Sequence, residues 1–538
     1  MSVDLEATDG TVELRSDLCI IGSGAAGLAI ASEMIQEQMS VILVESGGKQ
    51  HEPATQALYD VAISGLPHPG STQGRFRILG GSTTKWGGQT LPLMPSDFEQ
   101  REWVPNSGWP ISFEELRAYY ERACRFLLVD RFNFDTDLFA LLRTRPPLFD
   151  REQLWYHFSK WSPKPNLREH YLPGIRTSNR CTLLLHANVT EVQMEEGRNR
   201  VASIQVRSLK GHKATLRAQA FVLCAGGIET ARLLLANNKQ IPGGIGNGCD
   251  LVGRFFQDHP SAFVGSLDSS DPARTQQLFN VFHKRGLKYS VRCTATPEWQ
   301  RNHKTLNISM GATFVQDDST LQDAKDIYAA IRQGQVAPAL LPKLFRTMRH
   351  PASVLLPAYH FLLRGRSFAP AARVRIALTS EQEPNPESRI LLSDTTDALG
   401  MPRANVRWKL TDLTLHTIRQ FAQTLCGEFR RAGIGEIALE PWVLEDSSEW
   451  MNHITDQYHH IGTTRMHDSP RQGVVDRNCQ VHGVSNLFIG SSAVFPTSGH
   501  SNPTLTIIAL CIRLADRLRQ ELGSLPSAVE CNPETRQE

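Results

Sequence analysis

Within the first fifty residues the apolar positions fall into two short continuous runs, Leu18 to Ile21 and Val41 to Val44, with the alanine-rich "GAAGLAIASEMI" between them. Runs of four apolar residues closed by a glycine or an acid predict strands buried on both faces, and the stretch between them predicts a helix. Together they predict a βαβ unit. The rhythm of strand, glycine turn and helix returns in "AQAFVLCAGGIETARLLLAN", and the tail ends in the helical pattern "PTLTIIALCIRLADRLRQEL". Between these landmarks, "CTLLLHANVTEV" (181–192) predicts one strand. "GWPISFEELRAYYERA" predicts a helix opened by Ser112 and Glu115 at capping-box spacing, and 75–92, "RFRILGGSTTKWGGQTLP", predicts an ordered loop. Proline, glycine and irregular apolar stretches dominate 265–370.

Elements of one dinucleotide-type domain thus stand at the start, middle and end of the chain. They predict a Rossmann-like α/β domain assembled from 1–95, 180–262 and 456–538, with a second domain supplied by 96–179 and 263–455. A length of 538 residues fits this division, because single cores stop growing near about 250 to 300 residues.

Charge adds exclusions. With 57 Lys and Arg against 55 Asp and Glu, and no basic run interleaved with aromatics, nothing points to nucleic acid. Ten cysteines without a C-x-x-C pair argue against a zinc site or a dense disulfide framework; no metal is expected, and a reducing cytoplasm is. No uncharged stretch approaches the roughly 20 apolar residues that a membrane span needs, and the acidic opening has no apolar core of a secretory signal. The stretch 329–380 stands apart: it holds no acid but carries Arg332, Lys343, Arg346, Arg349, Arg364, Arg366, Arg373 and Arg375 among apolar residues. Its plain reading is a solvated basic face; a membrane surface, an anionic substrate or a partner protein are the alternatives.

Gly22-Ser23-Gly24-Ala25-Ala26-Gly27 forms G-x-G-x-x-G between a strand and a helix, the context the motif requires. The first glycine makes the turn, the second admits a pyrophosphate to the backbone, and the third packs helix on strand. The helix N-terminal amides then hold the anion. Glu45, 23 residues after Gly22, is placed to accept hydrogen bonds from an adenosine ribose. The motif alone does not separate FAD from NAD.

"GGSTTKWGG", "CAGGIETARLLL" and "HHIGTTRMHDSPRQGVVDRNCQVHGVSNLFIGSSAVFPTSGHSNPTLT" resemble, in order from about 17 to 520, the landmarks of the glucose-methanol-choline oxidoreductase family. Their motifs are most similar to its pyranose oxidase and polyol dehydrogenase branch. The resemblance implies a second domain of α+β type with an antiparallel sheet, bound FAD and an alcohol substrate, with a sugar, glycoside or polyol favoured. It implies FAD contacts at Gly22, Gly24, Ala25, Ala26, Gly27, Glu45 and Ser46, at Gly81, Ser82, Trp86 and Gly87, at Val189, Ala225 and Gly226, and at Gly490, Ser491, Asn502, Pro503 and Thr504. Lys85 stands where relatives in that branch carry a histidine bonded to flavin, so FAD is expected to be noncovalent. Gly490 stands where many members have an acid that contacts the flavin chain.

In the family pattern H-x-x-G-T, Gly462 and Thr463 assign the catalytic histidine to His459 and leave His460 outside it, while "SNPTLT" supplies the partner as Asn502. A neutral imidazole is an efficient acceptor of a hydroxyl proton, and an amide NH2 stabilises a developing alkoxide without titrating. Asn502 before Pro503 also has the form of a helix N-cap. Asp258 and His259 are adjacent; on a strand they would face opposite sides and be structural. His500 reads as a loop residue. The family also contains lyases that retain FAD without net redox turnover, which leaves that alternative open. The electron acceptor, whether oxygen, a quinone or a carrier, is open too.

Overall fold

The computed structural model describes residues 1–8, 10–36, 39–130, 133–316, 319–332, 338–369, 372–445 and 448–523. Parts of the basic stretch (333–337 and 370–371) and the end of the last segment (524–538) lie outside them.

Three sheets organise the described residues. The first runs Ser2–Asp4, Cys181–Leu185, Val41–Val44, Val12–Ile21, Lys213–Leu223, Val201–Arg207, Asn188–Met194, and Leu487–Ile489 adds in parallel to the end of Lys213–Leu223. Its first five strands are parallel neighbours, as both-face burial of their apolar runs requires; the last two form an antiparallel extension. Helix Ala25–Met34 covers this sheet and packs beside helix Thr504–Gly523, which also contacts helix Phe113–Phe126. The Ser112 cap on that last helix forms reciprocally with Glu115, as the spacing predicts.

The second sheet is antiparallel: Gly435–Leu439, Ser261–Ser269, Arg373–Ser380, Ile308–Val315, Leu287–Ala295, Leu154–Trp161, Gln89–Thr90, with Phe282–Lys284 paired to Leu287–Ala295. The irregular-looking 265–370 therefore holds several of its strands. Helix Asp412–Arg431 backs it. A small third sheet joins Arg389–Thr396, Pro402–Arg407 and Val61–Ile63.

The single strand predicted over 181–192 is two, Cys181–Leu185 and Asn188–Met194. His186 breaks it: its backbone turns to φ 53°, and its ring is held between Asp4 and Glu52.

Candidate active site

Strand Val12–Ile21 delivers the chain to Gly22 at φ 106°, where a Cβ would fall 2.5 Å from the Cys224 carbonyl oxygen, so only glycine fits. Gly27 is required for a different reason: a Cβ there would sit 1.9 Å from the Gly22 oxygen, where helix meets strand. At Gly24 a Cβ would meet nothing within 4 Å. It opens a cradle in front of the helix, whose first amides receive no side-chain cap.

Glu45 ends the next strand. Its buried carboxylate accepts from the Ser23 amide at 3.2 Å, from the Ser23 hydroxyl, and from the Gly47 amide at 2.9 Å. Burial pushes its carboxyl up, against these hydrogen bonds. The acid therefore ties the glycine turn to the next strand end, a role beyond the ribose contact expected from spacing.

A cavity of about 670 Å³ starts at this turn, within the range of a ligand site. Its wall includes Gly22, Gly24, Ala25 and Ala26, then Glu45 and Ser46, then Gly81, Ser82, Lys85, Trp86 and Gly87, and Val189. Ala225 and Gly226 from the middle unit and Ser491, Asn502, Pro503 and Thr504 from the tail complete it, with His459 and His460 at the far end. Two expected contacts are not on the wall. Gly27 serves packing, and at Gly490 a Cβ would meet the Cys224 and Cys511 sulfurs at 3.1 and 3.2 Å, inside the core. An anion cradle and a histidine therefore share one continuous space, and the uncapped amides, the open Gly24 and Glu45 suit a dinucleotide.

The cavity wall also carries residues that motifs did not reveal. Tyr59 lies under the Arg75 and Arg77 guanidiniums, each 4.2 Å from its ring centroid. Arg77 and Arg232 both reach Glu229, and Arg232 also pairs with Asp397. Burial pushes the Glu229 carboxyl up, but Arg232, Arg77 and Arg75 outweigh it and hold it below the usual range. Arg77, the Glu229–Arg232 pair and Asp397 are far apart in sequence and come together only through the fold.

At the other end, the segment carrying "YHHIG" lies along 257–261, through backbone pairing of Gln257 with Ile461 and Ser261 with Thr455. Asp258 and His259 are not on a strand, so alternation does not separate them. Both turn to the histidine segment. The Asp258 carboxylate accepts from the amides of Gln457 and His459, each at 2.9 Å, and from His259 at 2.6 Å, and it pairs with His68 Nε2 at 3.2 Å. Burial opposes its ionisation, but the His68 contact outweighs it and holds the carboxyl well below the usual range.

The His259 ring sets a proton pattern. Its Nε2 is 3.3 Å from the Ser498 carbonyl oxygen, which can only accept, so Nε2 carries the hydrogen. In a neutral ring Nδ1 is then bare, and it lies 2.7 Å from His459 Nδ1. His459 must donate from Nδ1, which leaves its Nε2 as a lone pair. That atom is 3.4 Å from Asn502 Nδ2. Burial, with His259 alongside, lowers the His459 pKa to about 3, so the ring is neutral at working pH.

Asn502 does not cap the final helix. Helix Thr504–Gly523 begins two residues later, with the Pro503 carbonyl accepting from Ile507, and the Asn502 amide goes to His459 instead. His460 is buried beside His68 and Phe256, and its carbonyl accepts from Ser492 Oγ at 2.6 Å. His500 is buried, bonds Asn307 at 3.1 Å and lies tilted beside the His157 ring rather than on the cavity wall.

Comparison with known proteins gives a consistent picture. Residues 384–511 match the family model described as GMC oxidoreductase. The chain is 24% identical over 583 residues to the fructose dehydrogenase large subunit of Gluconobacter japonicus, covering 95% of this chain and 98% of that protein. It is 24% identical to the 2-methyl-1,2-propanediol dehydrogenase of Mycolicibacterium austroafricanum, covering 95% and 96%. Among solved structures, formate oxidase superposes with a TM-score of 0.56 at 17% identity over 96% of this chain and all of that one.

Proposed function

We propose that this chain is a glucose-methanol-choline oxidoreductase, the family whose model matches residues 384–511, and that it oxidises the CH-OH group of a sugar, polyol or related alcohol with FAD. The observation that carries the reading is the single cavity joining the glycine cradle to His459 Nε2 and Asn502 Nδ2. Support for the substrate class comes from relatives named for fructose and a propanediol.

FAD supplies the two-electron acceptor, held by the Gly22–Gly27 turn, Glu45 and the residues around Gly81, Ala225 and Ser491. The chain supplies positioning and proton management. His459 Nε2 takes the hydroxyl proton as the C-H bond is broken, and Asn502 NH2 donates to the oxygen while negative charge grows there. His259 keeps the His459 lone pair aimed into the cavity, and Asp258 anchors the backbone that carries it. Cavity-lining Lys85 in place of a linking histidine supports noncovalent FAD.

The test is anaerobic visible absorption of the purified protein while sugars, polyols, glycosides and simple alcohols are added singly. Loss of the flavin band with one class supports the reading. Carbon-carbon cleavage of a hydroxynitrile, with the band unchanged throughout, would replace oxidation with lyase chemistry.

A further inference from the structure

Helices Leu341–Arg349 and Ala352–Arg364 turn apolar side chains to solvent. On the first, Leu341, Leu344, Phe345 and Met348 follow i, i+3, i+4, i+7 spacing and fill one arc of roughly 100°. On the second, Leu355, Leu356, Tyr359, Leu362 and Leu363 fill an arc of roughly 120°. All nine are exposed, by 39 to 75%. An amphipathic helix in a globular protein turns its apolar face to the core; here those faces are outward.

The charges at the edge of this surface are basic. Residues 341–364 contain Lys343, Arg346, Arg349 and Arg364 and no acid. On helix Thr320–Arg332, Asp326 pairs with Lys343, and Asp323 pairs with Arg346 at 2.8 Å. Arg349, over the Phe345 ring, and Arg364 at the end of the second helix are exposed.

We infer that this surface docks on an anionic lipid membrane, the two helices lying in the headgroup boundary with Arg349 and Arg364 on lipid phosphates. An exposed apolar arc on each helix, with arginines near the helix ends and no acid, matches an interfacial helix, whereas protein interfaces intersperse polar groups with apolar ones. No helix among the described residues is long and apolar enough to cross a membrane, so contact is peripheral.

Docking brings the cavity close to the bilayer. The end of the second helix is tied to the sheet by the His283 amide donating to the Gly365 carbonyl. His283 pairs with Lys288, and Lys288 with Trp161 on the cavity wall. Three strand spacings, about 14 Å, separate them. A lipid-soluble alcohol or electron acceptor would have a short route between bilayer and site.

The experiment is co-sedimentation of the flavin-loaded protein with vesicles of phosphatidylcholine alone or with roughly one third phosphatidylserine. Binding is expected on the anionic vesicles, weakening with salt. Phe345→Asp with Leu362→Asp should lower partitioning at least about tenfold. Arg349→Gln with Arg364→Gln should lower it about thirtyfold on anionic vesicles. Both should keep the flavin spectrum and activity with a water-soluble dye. Absence of binding by the unaltered protein, or unchanged binding by both variants, overturns the inference. So does light scattering that shows a dimer which the Phe345→Asp, Leu362→Asp variant converts to a monomer, since a second copy would then cover the face.

Discussion

Replacing His259 with leucine tests the proton pattern without touching a group that meets substrate. The side chain accepts the His459 Nδ1 hydrogen at 2.7 Å in a buried setting. Losing a buried hydrogen bond leaves its donor unpaired at a cost of about 1 to 3 kcal/mol, and His459 avoids that cost by moving its hydrogen to Nε2. In that tautomer the atom facing Asn502 no longer accepts a proton. The productive fraction should fall by the same free energy, about 5- to 150-fold. The assay is stopped-flow reduction of the bound flavin by substrate under anaerobic conditions, with flavin content and thermal unfolding as controls. Rate loss at unchanged flavin content is expected, with partial recovery in His259→Asn, whose carbonyl oxygen can accept from Nδ1. A His259→Leu rate within twofold of the unaltered protein would mean that His259 does not set the His459 tautomer.

Gly24→Val should fold and purify without flavin, because its side chain enters the open cradle, whereas Gly27→Val should not accumulate as soluble protein, because it meets the Gly22 carbonyl at the helix-strand contact; expression and absorption spectra separate them. Glu45→Gln should weaken FAD binding at least about tenfold, since charge-assisted bonds to the Ser23–Gly47 frame are worth about 1.5 to 3 kcal/mol each; fluorescence titration of the apoprotein reads this. Stability should fall between pH 6.5 and 4. Burial holds His157 and His459 at about 3, below the unfolded value of 6.5, so the unfolded chain binds more protons in that window and their contribution is complete only above it. At pH 5 each should cost about 2 kcal/mol relative to pH 8, read by denaturant titration at the two pH values.

The βαβ unit was legible because its signals are local: apolar runs, the glycine turn and the acid lie within one stretch, and the observed strand Val41–Val44 coincides with the apolar run. The proximity of His459 and Asn502 was suggested only by the resemblance, since the two are separated by mostly irregular chain with no periodic pattern. The opposite facing expected of Asp258 and His259 fails because neither lies on a strand. His68, Arg77 and Arg232 carried no local signal; the fold gathers them from distant loops and helices. Asn502 showed cap chemistry in sequence, yet its amide is drawn to a histidine that only tertiary structure brings near.

Removal of the hydroxyl proton by His459 is read by the anaerobic rate of flavin reduction in His459→Ala compared with the unaltered protein, at matched flavin content and saturating substrate. The rate should fall about 10²- to 10⁴-fold, the usual worth of a general base. Reduction by His459→Ala at the unaltered rate would contradict it.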